Sequence, residues 1–535
     1  MDNLRGVWVI WGLLAAGVSQ AGDWPGVMGA GHRNDAGPSV GVVDGFARAK
    51  KLWESADPIP DGRTSDGTDK EHPTISGGFG SPVMAGDRVY LGYYVPAGDV
   101  ILKWLHEKAG GPAEKWSIHA SDVLHCFDIK TGKTVWRTVL PGVGLNKNFG
   151  NKGGGGQSPL MHDGRIYYCG LSMRIHCLDA ASGTVLWTTP VQPRAAHVDA
   201  QVEASVAWAR RNNPAEKNDG VMLKDVGGTY AANRAYLGFP IWAGGVVVTP
   251  DYVQATHPTG GKRMPLAGVA GFEPVSGRQL WQAPRCSPGA FVNPLPVTVG
   301  GAEYVLAVGP HGTSLIKPAD GTVMWRNPDV NQGMGVPVLW KDIVAVKALP
   351  GETALAEEKA RMERGESASA RGQEPASAWK GFRITLKGPE LLWTARAGTG
   401  GTPMAAAVRD GIAYLAIDDA AKKPVVWALD MATGQGADVA KPGVSGGEHD
   451  NMFTALIGNR LIACMGGNAG SVDTVRDAYC MYTLGEGGRT LVPAGAPLKG
   501  TFAWGYANSI LPAFKDGIMV YRSNTRLVAV DVQGP

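Results

Sequence analysis

The chain is poor in charge. Only 19% of its 535 residues are Asp, Glu, Lys or Arg. Lys and Arg number 51 against 48 Asp and Glu, so the net charge is +3, too weak a field to hold a nucleic acid. Cysteine is scarce too, with six residues in all. No two are adjacent, no Cys-x-x-Cys pair exists, and no Cys-x-x-Cys-His stretch exists. A zinc motif and a covalently attached haem are thereby excluded. Past the N-terminus no apolar run approaches the roughly 20 residues of a membrane span.

The N-terminal run itself, Val7 to Val18, is also too short to span. It follows Arg5 and leads to Ser19-Gln20-Ala21, a small-x-small pattern. Residues 1–21 are therefore predicted to be a cleaved secretory signal, and the protein to be periplasmic or extracellular. No Cys follows the cleavage site, so no lipid anchor is expected.

Glycine is abundant: 76 residues, roughly twice ordinary usage. Its placement is periodic. His125–Trp136, His176–Trp187, Gly271–Trp281 and Leu315–Trp325 each read as an apolar strand, a polar turn ending in Gly, and a Trp four residues later. The glycines are Gly132, Gly183, Gly277 and Gly321. Gly388–Trp393, Ala428–Val439 and Val528–Pro535 are looser copies. Gly supplies the positive φ of the turn. The indole is placed to pack on the neighbouring repeat and to hydrogen-bond a backbone carbonyl. The structural tryptophans are thus Trp53, Trp136, Trp187, Trp281, Trp325 and Trp393.

Eight hairpins lie between these turns: Gly80–Gly92, Gln157–Gly170, Gly238–Pro250, Val292–Val308, Gly335–Val346, Thr402–Ile417, Phe453–Gly466 and Ile510–Arg522. Two hairpins per unit make a four-stranded blade. The predicted fold is an all-β, eight-bladed propeller over 45–535, behind a leader arm at 22–44. The eighth unit lacks its outer strand. Ala49–Glu54, with Trp53, is predicted to supply it and close the ring. The surplus length falls in insertions near 97–121, 192–234 and 351–380, with helical spacing at Ala195–Arg211.

The full pattern Asp128-x-x-Thr131-Gly132-x-x-x-Trp136 resembles the tryptophan-docking repeat of the pyrroloquinoline-quinone-like (quinoprotein-type) propeller family. The leader Asp23–Gly37 is similar to that of its exported bacterial members. The resemblance covers roughly 45–535 and implies the propeller fold. It implies two kinds of function: quinone-dependent alcohol or sugar dehydrogenases, with PQQ and Ca²⁺, and cofactor-free scaffolds. The dehydrogenases carry two adjacent cysteines, which this chain lacks. Their Asp-Asn pair precedes the third strand of a blade, whereas Asp450-Asn451 precedes a first strand.

First strands line a propeller's channel. The polar residues before them are the candidate ligand set: Asn148, Gln157, Asn293, Asn331, Gln332, Asn451, Trp504, Tyr506 and Asn508. Amides beside aromatic rings suit a small polar or sugar-like ligand. His449 with Asp450 is the candidate acid–base pair. Cys169 with Cys177, and Cys464 with Cys480, are candidate cross-strand disulfides. The expected protein is an exported, monomeric, non-catalytic scaffold for a protein or a small polar ligand, without a cofactor or a metal. A quinone-linked oxidoreductase is the alternative.

Overall fold

In the computed structural model, the chain is described at residues 23–37, 42–59, 80–106, 113–149, 152–153, 158–192, 195–196, 199–200, 203, 221–222, 239–251, 268–283, 286, 293–309, 312–332, 335–348, 378–396, 403, 405–419, 421, 423–441, 453–464, 476–500, 511–523 and 526–533. The predicted signal and most of the 192–234 and 351–380 insertions lie outside these residues.

Each blade begins with a hairpin on a two-residue turn. The turns Asp163-Gly164, Asp410-Gly411 and Asp516-Gly517 have positive φ at both positions, as do Gly244-Gly245 and Gly300-Gly301. That is the type I′ geometry whose twist matches antiparallel strands, and it is why Asp-Gly and Gly-Gly recur. A second hairpin follows and completes four strands. Blade 2 is typical: Leu160–His162, Arg165–Cys169, Arg174–Asp179 and Val185–Pro190, hydrogen-bonded in that order. Eight such sheets form an eight-bladed propeller.

The eighth blade joins the two ends of the chain. Ala513–Lys515, Ile518–Arg522 and Leu527–Asp531 are completed by Lys50–Glu54. The register sets Trp53 opposite Ala529 and Lys50 opposite Asp531.

The six predicted indoles dock on the next blade. Trp53 Nε1 donates to Ile129 O at 2.6 Å, Trp136 Nε1 to Ala180 O at 3.1 Å and Trp187 Nε1 to Pro274 O at 3.1 Å. Trp281 Nε1 donates to Pro318 O at 2.6 Å, Trp325 Nε1 to Thr385 O at 2.8 Å and Trp393 Nε1 to Met431 O at 2.8 Å. Under all of these rings but Trp325 lies the turn glycine of the next blade. A Cβ at Gly183, whose φ is +71°, would stand 2.5 Å from Trp136 Cδ2. Glycine is therefore demanded twice, by dihedral and by space.

The 97–121 insertion continues the sheet among its described residues. It lengthens two strands of blade 1, Arg88–His106 and Ala113–Asp128, into one antiparallel ribbon with Ile101 opposite Ile118. Val100, Ile101, Trp104, Trp116 and Ile118 are β-branched or aromatic residues, types that suit a paired strand.

One expectation is corrected: the two predicted disulfides are not formed, and all six cysteines are buried and unbridged. Cys464 faces Tyr479 while Cys480 faces Ala463. One step of register puts these two on opposite sides of the sheet. Cys169 faces Ile175 while Cys177 faces Tyr167. That diagonal is about 7–8 Å, too far for a bridge. Cys126 and Cys177 instead stand opposite Trp136 and Trp187, as small apolar residues beside the indoles.

Candidate functional site

The topology sorts the connections onto two faces. First-to-second and third-to-fourth turns leave at one end, and the longest of these are six-residue turns such as Glu273–Arg278. Second-to-third and blade-to-blade connections leave at the other end. The strand ends that flank 252–267, 349–377, 465–475 and 191–240 are there, as is the base of the blade 1 ribbon. The described residues on either side of all three predicted insertions are therefore on one face. Loops that vary on a rigid frame are where binding residues collect.

On that face an x-Pro pair precedes the inner strand of most blades. Ser81, Ser158, Phe239, Asn293, Val336 and Leu511 each stand before a proline. Proline suits the start of an edge strand because it has no N–H to leave unpaired. The residue before it stitches neighbouring blades. Leu511 N donates to Ser81 Oγ at 2.9 Å, Ser81 N to Ser158 Oγ at 2.7 Å, and Phe239 N to Asn293 Oδ1 at 2.9 Å.

Asn293 therefore joins blade 4 to blade 3. Asn331 Nδ2 donates to Pro328 O at 3.0 Å. Gln332 Nε2 donates to Gly335 O at 2.8 Å, and its Oε1 accepts Lys347 N at 3.2 Å. All three amides are buried, and these bonds serve backbone groups. Asn148 lies on the strand Gly144–Phe149, which pairs with the ribbon at Trp116, and so belongs to blade 1 rather than leading into blade 2. Gln157, His449, Asp450, Asn451, Trp504, Tyr506 and Asn508 lie outside the described residues.

The opposite mouth of the channel is crossed by the leader. Trp24 exchanges two backbone hydrogen bonds with Met84 on the inner strand of blade 1, at 2.8 and 2.9 Å. Pro25 O accepts Met161 N, 2.7 Å, on blade 2. Arg33 O accepts Val408 N, 2.9 Å, on blade 6. Blades 2 and 6 face each other across an eight-membered ring, so Gly26–His32 spans the channel. The segment is folded on itself, with Asn34 N donating to Met28 O at 2.9 Å and φ of +68° at Gly29 and +69° at Gly31. Its neighbours Gly86, Arg409, Gly458 and Lys515 lie in or beside two-residue turns, which fixes the tight-turn face as the closed one.

Two buried ionisable groups were not among the predicted site residues. Asp122 accepts Leu171 N at 2.7 Å and Tyr168 Oη at 3.2 Å, tying blade 1 to blade 2. Burial pushes its carboxyl up to about 7, against the opposing pull of those hydrogen bonds. His125 sits in a chain of side chains near the ring closure. Arg137 Nε donates to Tyr93 Oη at 2.9 Å. The Tyr93 hydroxyl is left to donate to His125 Nδ1 at 3.3 Å. His125 Nε2–H then meets Thr134 Oγ1 at 2.7 Å, whose hydroxyl donates to Asp57. Burial, and next the Arg137 charge, lower His125 to about 4, so the ring is neutral. Both groups brace blades and neither lies in the channel set.

The whole describes an eight-bladed propeller with closed ends, docked indoles and one elaborated face. A family model described as outer membrane protein assembly factor BamB matches residues 119–437. The chain belongs to this family of pyrroloquinoline-quinone-like propellers.

Among solved structures, BamB from Moraxella catarrhalis is similar at 10% identity and TM-score 0.42, over 82% of this chain and 97% of that one. The quinohemoprotein alcohol dehydrogenase from Comamonas testosteroni is similar at 11% identity and TM-score 0.41, over 97% and 82%. A europium-containing methanol dehydrogenase is similar at 12% identity and TM-score 0.39, over 85% and 91%. No curated protein sequence matches. Likenesses at this level carry no argument about activity.

A calcium-bound quinone needs converging carboxylates and free amides. Among the described residues no group of three or more His, Cys, Asp and Glu is placed to hold a metal, and the described channel amides serve the backbone. No helix among the described residues is long and apolar enough to cross a membrane.

Proposed function

We propose that the protein is an exported, non-catalytic scaffold that binds a protein partner on its long-connection face. The observation that carries this reading is the one-sidedness of the molecule. The long connections leave from one face, and the leader crosses the channel at the other. The family description, an assembly factor, agrees with a role in protein interaction. The absence of adjacent cysteines and the backbone duties of Asn293, Asn331 and Gln332 weigh against a quinone site.

Two measurements test it. A photo-crosslinking residue at Gln192 or Asp329, on the long-connection face, is expected to capture a discrete protein in cells. The same residue at Lys130 or Asp163, on the tight-turn face, is expected to capture none. Equal capture from both faces overturns the reading. PQQ with Ca²⁺ is expected to leave the thermal midpoint unchanged. A rise of several degrees with dye-linked alcohol or sugar oxidation overturns it in favour of a quinone-linked dehydrogenase.

A further inference from the structure

We propose that the leader, through its described residues 23–37 and 42–44 with Gly45 beside them, is a strap holding a seam in the ring, and that the ring opens at this seam first. The docked indoles bind six junctions, from blade 8–1 round to blade 5–6. Among the described residues, junctions 6–7 and 7–8 have no such indole. Asp438 stands four residues after Gly434, where the repeat puts Trp, and its carboxylate turns back to Arg396 of blade 5. On the outer strand of blade 7, Leu491–Pro493, Val492 is 59% exposed.

At both junctions the leader is bonded to each blade. Between blades 6 and 7, the Asp35 carboxylate takes the Arg409 guanidinium from blade 6 through both oxygens. On blade 7, Asn34 O accepts Leu456 N and Ala36 N donates to Leu456 O, both at 2.8 Å. Asn34 Nδ2 donates to Thr454 O at 2.7 Å, and Gly37 O accepts Gly458 N at 3.0 Å. Between blades 7 and 8, Val43 O accepts Arg460 Nε at 3.1 Å and Val43 N donates to Val532 O at 2.7 Å. Gly45 packs against the Ala494 carbonyl of blade 7, so close that a Cβ would stand 2.6 Å from the oxygen. The strap thus supplies, by hydrogen bonds and an ion pair, what a buried indole supplies elsewhere. Across 6–7 the blades also meet directly, with Tyr414 Oη donating to Gly488 O at 2.7 Å, Arg489 to Asp430 at 2.7 Å and Ala407 N to Thr454 Oγ1 at 2.9 Å. Across 7–8 the Tyr479 and Tyr521 rings meet edge to face. Released from the inner strands, the strap leaves these two neighbouring junctions with such contacts and, among the described residues, no docked indole, and regions of fewest links open locally first.

Native-state hydrogen exchange on the full protein reads this directly. In rising sub-denaturing urea, the amides of Val43, Val408, Leu456 and Gly458 are expected to exchange as one group, before Ile175, Cys177 and Leu315 in blades 2 and 4. Exchange of all of them together, or of the seam last, overturns the strap. With Asp35→Asn and Asn34→Ala combined, seam amides are expected to exchange at least tenfold faster with blades 2–4 unchanged. The control Trp187→Phe is expected to speed exchange in blades 2 and 3 and spare the seam. A strap variant that speeds all blades equally, or none, overturns the proposal.

Discussion

Glycine at 183 and glycine at 164 have nearly the same φ, +71° and +70°, yet only the first has a neighbour where a Cβ would go. Gly164→Ala is expected to cost the left-handed strain alone, about 1–2 kcal/mol. Gly183→Ala must also displace Trp136 and is expected to cost about 2 kcal/mol more, in the range of overpacking. Urea unfolding of the two variants checks the difference. Asp122 gives a second prediction at this scale. Its folded pKa, about 7, is above the ordinary carboxylate value of roughly 4. The folded state therefore holds a proton that the unfolded state releases. The group's stabilising contribution is full below about pH 4 and is lost as pH rises through about 7. Asp122→Asn keeps an oxygen for Leu171 N and is expected to flatten the fall of Tm between pH 4 and 8. An unchanged profile refutes the assignment.

The outer strand is the element that sets a junction. Trp187 contributes both a large apolar ring and the bond to Pro274 O. Trp187→Phe keeps most of the area and is expected to cost about 1 kcal/mol. Trp187→Ala is expected to cost about 3–5 kcal/mol, with urea unfolding as the measurement. The Trp pattern was legible because spacing along one strand sets which way a ring points. The cysteine pairs were not, because their relation depends on register between strands. A shift of one residue sent Cys480 and Cys464 to opposite faces. Likewise Asn148 read as a lead-in to blade 2, but its strand added to the blade 1 ribbon.

Closure belongs to the whole molecule. Lys50–Glu54 is bound to Leu527–Asp531 across almost the full length of the chain. Trp53→Ala is expected to reduce hydrogen-exchange protection in blades 8 and 1 together, although these lie at opposite ends of the sequence. Loss confined to one of them would contradict the docking of Trp53 on Ile129 O. Of the predicted channel amides, Asn293 carries a blade-to-blade bond, and the leader lies across the far mouth.

The blade, its turns, its docked ring and the number of units were written in local patterns: Asp-Gly where both φ values are positive, Gly then Trp four residues on, and apolar pairs about a turn. Those patterns act over a few residues, so the chain states them directly. The duties of Asn34, Asp35, Asp122 and Asn293 are not local. Each polar group found its partner only when inner strands distant in sequence were brought round the same axis, and no spacing within the chain encodes that meeting.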